Sequence, residues 1–161
     1  MPESLQEWLN DFLSNYDKLR KYVNLNSEMA IREFLISPLI FELVKHFNIH
    51  VDIETSVYFD NTLKGNIDYI LNKKEHINFI AIEAKNANIN RGFNQLLVEL
   101  IALDKIIESD ETLLYGAVTT GNEWNFAYLD RKNKTIIQDK QNLYLLHDLD
   151  EIFKIIIGIL D

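Results

Sequence analysis

Cysteine is absent from the 161-residue chain, which excludes disulfides, thiolate metal sites and a cysteine nucleophile. Proline and glycine are scarce, two and five residues, too few for a low-complexity or linker segment. No glycine-rich phosphate loop and no Gly-x-Ser-x-Gly elbow is present. Long apolar runs are missing too: the closing IFKIIIGIL is far short of the roughly 20 residues that span a bilayer. The opening MPESLQEWLNDF lacks the basic region and apolar run of a secretion signal. A soluble, cytoplasmic protein without a membrane partner is the expectation. Positive charge is also short. Sixteen Lys and Arg against 25 Asp and Glu leave a formal charge of -9, which argues against a nucleic-acid partner because phosphate binding depends on Lys and Arg.

What is present reads as one globular domain over residues 1–161. Hydrophobic residues make up 47% and aromatics 11%, and a chain of this size buries roughly 68 to 70% of its unfolded surface without staples. The charge is not spread evenly. Residues 1–63 hold ten acids and five bases, residues 64–91 three and five, and residues 92–161 twelve and six. Only the middle segment is net positive, which softens the objection to a phosphate partner.

Hydrophobic spacing gives the order of elements. Ser4 and Glu7 have capping-box spacing before Leu5, Trp8, Leu9, Phe12, Leu13, Tyr16 and Leu19, a first helix. A second starts near Asn26 or Ser27, and Pro38 should kink or divide it. Val51, Ile53, Thr55 and Val57 alternate with polar residues, and the strands GNIDYIL and INFIAIEAK follow, with a turn over Asn72 to His76. A helix from near Asn90, the hairpin LLYGAVTT and WNFAYLD turning at Gly121 to Glu123, and a short strand over Thr135 to Gln138 come next. Asp148 and Glu151 repeat the capping-box spacing before a closing helix. The fold class is α/β, a mixed central β-sheet flanked by helices.

Three charges stand out in Gly65 to Lys85. Glu83 and Lys85 share a face on a period-2 backbone, and Asp68 on the preceding strand reaches that face if the hairpin register has the right parity. Alternating Glu and Lys are common on an exposed sheet face, where they would do nothing special. Phe79, Ile80, Ala81, Ile82 and Ala84, however, form the nearly continuous apolar run of a strand covered on both sides. Charges at the end of such a strand need pairing or a metal, and ligand sites open at strand ends. Two carboxylates suit Mg²⁺, with water and phosphate completing its shell, and Lys85 beside it could orient or deprotonate a water or stabilise a phosphate. Glu28 in a helix first turn also has a plain reading, as a solvated charge favoured by the helix dipole.

The other candidates have ordinary readings. His46, His50, His76 and His147 have no close metal-ligand spacing. Trp124, Phe126 and Tyr128 alternate on one strand face and read as core before they read as base-stacking residues. Asn86, Asn88, Asn90 and Arg91 follow the lysine and could meet phosphate, but are also ordinary loop composition.

The order Glu28, Asp68 in GNIDYIL, Glu83-Ala84-Lys85 in FIAIEAK, then Gln95 resembles the PD-(D/E)xK nuclease superfamily. SEMAIREFLISPL, with Arg32 and Ser37-Pro38-Leu39, and GAVTTGNEWNF are similar to the N-terminal nuclease domains of type I restriction motor subunits. The likeness covers about residues 27–130. It implies an αβββαβ restriction-endonuclease-like core with extra N- and C-terminal helices, and a Mg²⁺- or Mn²⁺-dependent endonuclease, a hydrolase of phosphodiesters with DNA, and after it RNA, as the substrate. It further implies that Asp68, Glu83 and the backbone carbonyl of Ala84 ligate the metal, and that Lys85 positions or activates the attacking water. Glu28 would bind the metal's water shell or a second ion, and Gln95 would steer Lys85 or substrate. Asn66 and Ile67, not proline, precede Asp68, a departure that removes no ligand. Cutting both strands of a duplex would call for a homodimer. The alternatives are a non-catalytic nuclease-fold module that binds nucleic acid or a protein partner, and an interaction domain unrelated to nucleic acid.

Overall fold

The computed structural model describes residues 1–73, 79–85, 88–108 and 111–161. Its strands are β1 (His50–Tyr58), β2 (Lys64–Asn72), β3 (Phe79–Ala84), β4 (Leu113–Thr119), β5 (Glu123–Asp130), β6 (Thr135–Gln138) and β7 (Leu143–Tyr144). They form one mixed sheet in the order β1-β2-β3-β4-β5-β6, with β7 also against β5. Neighbours run antiparallel except β3 and β4, which are parallel. A parallel pair needs a crossover, and helix α4 (Ile89–Ile106) supplies it. The apolar FIAIEA strand thus lies inside the sheet, covered on both faces, as its composition demands.

Two cores flank the sheet. On one side α4 packs Leu96, Leu100 and Leu103 onto Ile67, Ala81, Leu114 and Val118. On the other, helices α1 (Glu3–Tyr22) and α5 (Leu145–Leu160), with the helix after α1, bury Leu5, Leu9, Leu39, Leu43, Ile152 and Phe153 against Tyr69, Ile80, Ile82, Trp124 and Phe126. Each fully buried Leu or Ile contributes about 1.5–3 kcal/mol. Trp124 and Phe126 are therefore core residues, buried to 0% and 6% exposure. No helix among the described residues is long and apolar enough to cross a membrane.

The helix after α1 is divided as Pro38 requires. Its first piece, α2 (Glu28–Ile31), is capped by Ser27, whose hydroxyl accepts the Ala30 N–H at 3.1 Å. A π-helical turn, Arg32–Ile36, follows and then α3 (Ser37–Phe47), with Pro38 in its first turn. Proline crowds the carbonyl four residues back, and the widened turn directly upstream, where Ser37 N–H reaches Arg32 O, makes the room.

Two expected caps form differently. α1 begins at Glu3 with Pro2 in the capping position and no side-chain cap, so Ser4 and Glu7 are already inside the helix. The Pro2 carbonyl accepts the first helical bonds, from Leu5 N–H at 3.1 Å and Gln6 N–H at 3.2 Å. α5 begins at Leu145, three residues before Asp148, which sits at a kink (φ -121°, ψ 17°) and accepts the Tyr144 N–H at 2.7 Å. Most of the expected turn after Asn72, from residue 74 to 78, lies outside the described residues, as does Asn86.

Candidate active site

β2 and β3 pair with Tyr69 across from Ile82 and Leu71 across from Ile80. Carried one residue further, that register sets Asp68 across from Glu83. Ile82 and Ala84 face the α1–α5 side, so Glu83 between them faces α4. Lys85 does the same: a Cβ on Gly92 of α4 would lie 2.7 Å from Lys85 Cγ and 2.6 Å from Val118 Cγ1. The absence of a side chain at Gly92 is what admits the lysine stem.

Asp68 is 7% exposed. Its Oδ2 accepts the backbone N–H of Ala84 at 2.8 Å, and its Oδ1 lies 3.2 Å from Arg32 Nη1. The Ala84 carbonyl is turned to the same side. Lys85 N–H donates to Thr119 O on β4 at 2.8 Å, and across a trans peptide the preceding C=O points the opposite way, toward β2. Arg32, the first residue of the π turn, also reaches Glu54 Oε1 at 3.0 Å and the Tyr69 hydroxyl at 3.3 Å, with its guanidinium 5.2 Å from the Tyr69 ring centre. Glu54 would pair with Asp68 in the β1–β2 register, but the ladder passes from Ile53–Tyr69 to Thr55–Ile67 without it. Its φ of 52° is a left-handed conformation that costs a non-glycine residue about 1–3 kcal/mol. The strain sits directly across from the aspartate.

Glu83 is 1% exposed. Lys85 Nζ donates to its Oε1, and its Oε2 is buried with no hydrogen-bond partner. Lys85 Nζ also lies 3.6 Å from Oε1 of Glu28, whose side chain is 43% exposed in the first turn of α2. The four acidic and basic residues singled out in the sequence thus share one pocket. Gln95 is one helical turn from Glu99, a residue that the sequence pattern did not single out, and donates to its Oε1 at 3.1 Å. Its hydrogen bond goes there rather than to Lys85. Glu99 is 0% exposed. Its charge would have been findable, because it falls within the stripe Leu96, Leu100, Leu103 that faces the sheet. Arg32 stood out only as part of the resemblance; nothing in its spacing announces a bond to Asp68.

Acidic groups outnumber basic ones here: the carboxyls of Asp68, Glu83, Glu99 and Glu28 stand against the two cations Arg32 and Lys85. Burial pushes the Glu83 carboxyl up to about 8, with Glu99 and Asp68 adding to the rise against the Lys85 hydrogen bond. Burial likewise raises Asp68, against the Ala84 N–H and Arg32, and raises Glu99, against its Gln95 hydrogen bond. Burial alone would lower Lys85, but the hydrogen bond to Glu83 and the charges of Glu83, Glu28 and Asp68 outweigh it and raise its value. The lysine is held as an ammonium.

Among the described residues no three His, Cys, Asp or Glu side chains are gathered so as to hold a metal ion as they stand; Arg32 pairs with Asp68, and Lys85 with Glu83 and Glu28. The donor set nevertheless fits a hard divalent cation. It offers all-oxygen ligands, an unpartnered buried Glu83 oxygen and spare lone pairs on Asp68. Compared with protein-family models, curated proteins and solved structures, the chain matches none.

Proposed function

We propose that the chain is a divalent-metal-dependent endonuclease of the PD-(D/E)xK type, with an αβββαβ restriction-endonuclease-like core, that hydrolyses DNA phosphodiesters. The observation that carries this reading is the meeting of Glu28, Asp68, Glu83 and Lys85, from three separated segments, at one place, with Asp68 and Glu83 buried and Glu28 half-exposed at its edge. Asp68, Glu83 and the Ala84 carbonyl would hold Mg²⁺ or Mn²⁺, with Glu28 reaching its water shell. Bound there, the cation supplies a Lewis acid for the phosphate and a water of lowered pKa.

The chain's own residues do the rest. Lys85, kept protonated by Glu83, is suited to orienting the attacking water and stabilising charge on the phosphate rather than to removing a proton. Arg32 is the cation poised to shift from Asp68 to a phosphate oxygen once a metal neutralises the aspartate. Gln95 fixes Glu99 and so acts on the pocket indirectly.

The test is cleavage of duplex and single-stranded DNA with Mg²⁺ or Mn²⁺, alongside Asp68→Ala and Lys85→Ala. Each variant should lose about 10²-fold or more. Activity that survives both changes refutes the assignment. The formal charge of -9 favours a second reading, a non-catalytic module of the same fold that binds a partner. Direct titration separates the two: no Mg²⁺ or Mn²⁺ uptake at millimolar concentration would favour the module.

A further inference from the structure

We propose that Glu99, contributed by α4, is a third carboxylate ligand of the metal centre, joining Asp68 and Glu83 once the cation displaces Lys85. The inference rests on the metal-dependent reading above but goes beyond the residues that suggested it. Three observations converge on this glutamate. It is fully buried, at 0% exposure, on a helix face otherwise occupied by Leu96, Leu100 and Leu103. Its carboxylate is held by Gln95 Nε2, 3.1 Å from Oε1, and by the Asn66 backbone N–H, whereas Oε2 is buried without a hydrogen-bond partner. Glu83 Oε2 is orphaned in the same way, so two carboxylates from different elements each present one free oxygen. A buried carboxylate oxygen without a donor is costly, and a cation removes that cost at both residues together.

The backbone is shaped around this side chain. A Cβ on Gly65 of β2 would lie 2.6 Å from Glu99 Cγ and 2.8 Å from its Oε1. A Cβ at position 65 would force the Glu99 side chain to shift, so the bare backbone there acts as a cradle. Lys85 lies close enough for Glu99 to feel its charge, as does Asp68. Withdrawal of the Lys85 ammonium toward a phosphate would remove the cation whose charge reaches both Glu83 and Glu99 unless a metal takes its place. Hard divalent cations held by carboxylates and waters suit such a site, with Gln95 as the positioning residue that keeps Glu99 in its rotamer.

Mn²⁺ is the probe, its free fraction read by electron paramagnetic resonance as it is titrated into the full chain and into Glu99→Gln, Glu99→Asp and Asp68→Asn. Glu99→Gln preserves shape and removes one charge. It should lower Mn²⁺ affinity by at least about tenfold, while raising the melting temperature of the metal-free protein. Glu99→Asp keeps the charge but draws it back by one methylene, and should also lose affinity if the carboxylate ligates rather than merely adds field. Should the first variant fail to fold, the second decides alone. Wild-type affinity in either Glu99 variant, with loss in Asp68→Asn, would overturn the role of Glu99 and leave the metal reading standing. Absence of Mn²⁺ binding in the unaltered chain would overturn both.

Discussion

Gly65 and Gly92 are the two positions where a single methyl group should separate the parts of the pocket. At Gly65 the added Cβ meets Glu99, and at Gly92 it meets Lys85 and Val118, all at 2.6–2.8 Å. Gly65→Ala should therefore cost stability on the overpacking scale of about 1–3 kcal/mol and weaken Mn²⁺ binding through Glu99. Gly92→Ala should cost a similar amount but act through Lys85, lowering the cleavage rate more than metal affinity. Urea midpoints, Mn²⁺ titration and single-turnover rates on the two variants check this. Equal effects of both on metal affinity would sink the division of roles. At this scale Asp68, Glu83, Lys85 and Glu28 were legible because strand alternation and a helix first turn are local patterns. Glu99 was missed although it falls in the sheet-facing stripe, because Leu97, Val98 and Ile101 make the helix apolar nearly all round and blur the edges of that stripe. Arg32 was not legible, because its tie to Asp68 crosses 36 residues and depends on the π turn.

Among elements, the segment α2–π turn–α3 decides whether the pocket is complete, since it carries both Glu28 and Arg32. Its start depends on one hydrogen bond, from Ala30 N–H to the Ser27 hydroxyl. Ser27→Ala should cost about 1 kcal/mol. If α2 frays, Glu28 leaves Lys85, and cleavage should fall by more than the stability loss explains at temperatures where the protein stays folded. A denaturation curve beside a rate measurement at 15 °C tests it; an unchanged rate would mean that Glu28 is the plain solvated charge its position also allows. Strand order and the Pro38 break were readable because apolar alternation and a missing N–H act locally. Cap positions at Ser4 and Asp148 were not, because the capping-box pattern matches a sequence spacing, whereas the actual start is set by where Pro2 and Tyr144 leave the preceding backbone extended. The parallel β3–β4 pairing was implied only by the single crossover helix between strands.

For the molecule as a whole, the unbalanced pocket should govern how stability depends on pH. Glu83 is raised from 4.5 to about 8, first by burial and then by Glu99 and Asp68; Asp68 and Glu99 move the same way. A carboxyl with a raised folded-state value holds its proton more tightly folded than unfolded. Its destabilisation is therefore nil below the unfolded value, grows as pH climbs from about 4.5, and is complete above about 8. A tenfold difference in proton affinity between the folded and unfolded chain is worth about 1.4 kcal/mol, so Glu83 alone accounts for a few kcal/mol, a large share of the net stability of a domain. The formal charge of -9 also disfavours compactness as pH rises, so the general and the local effect must be separated. Glu83→Gln removes the local part and keeps nearly all of the net charge. In EDTA, urea midpoints of the unaltered protein should fall from pH 5 to pH 8.5, those of Glu83→Gln should fall much less, and millimolar Mg²⁺ should flatten the unaltered curve by replacing the proton. Parallel slopes for the two proteins in EDTA would show that self-repulsion of the whole surface, and not the pocket, sets the pH response. A steep slope that Mg²⁺ leaves untouched would mean that the three carboxyls keep their protons for packing alone and that no cation takes the protons' place.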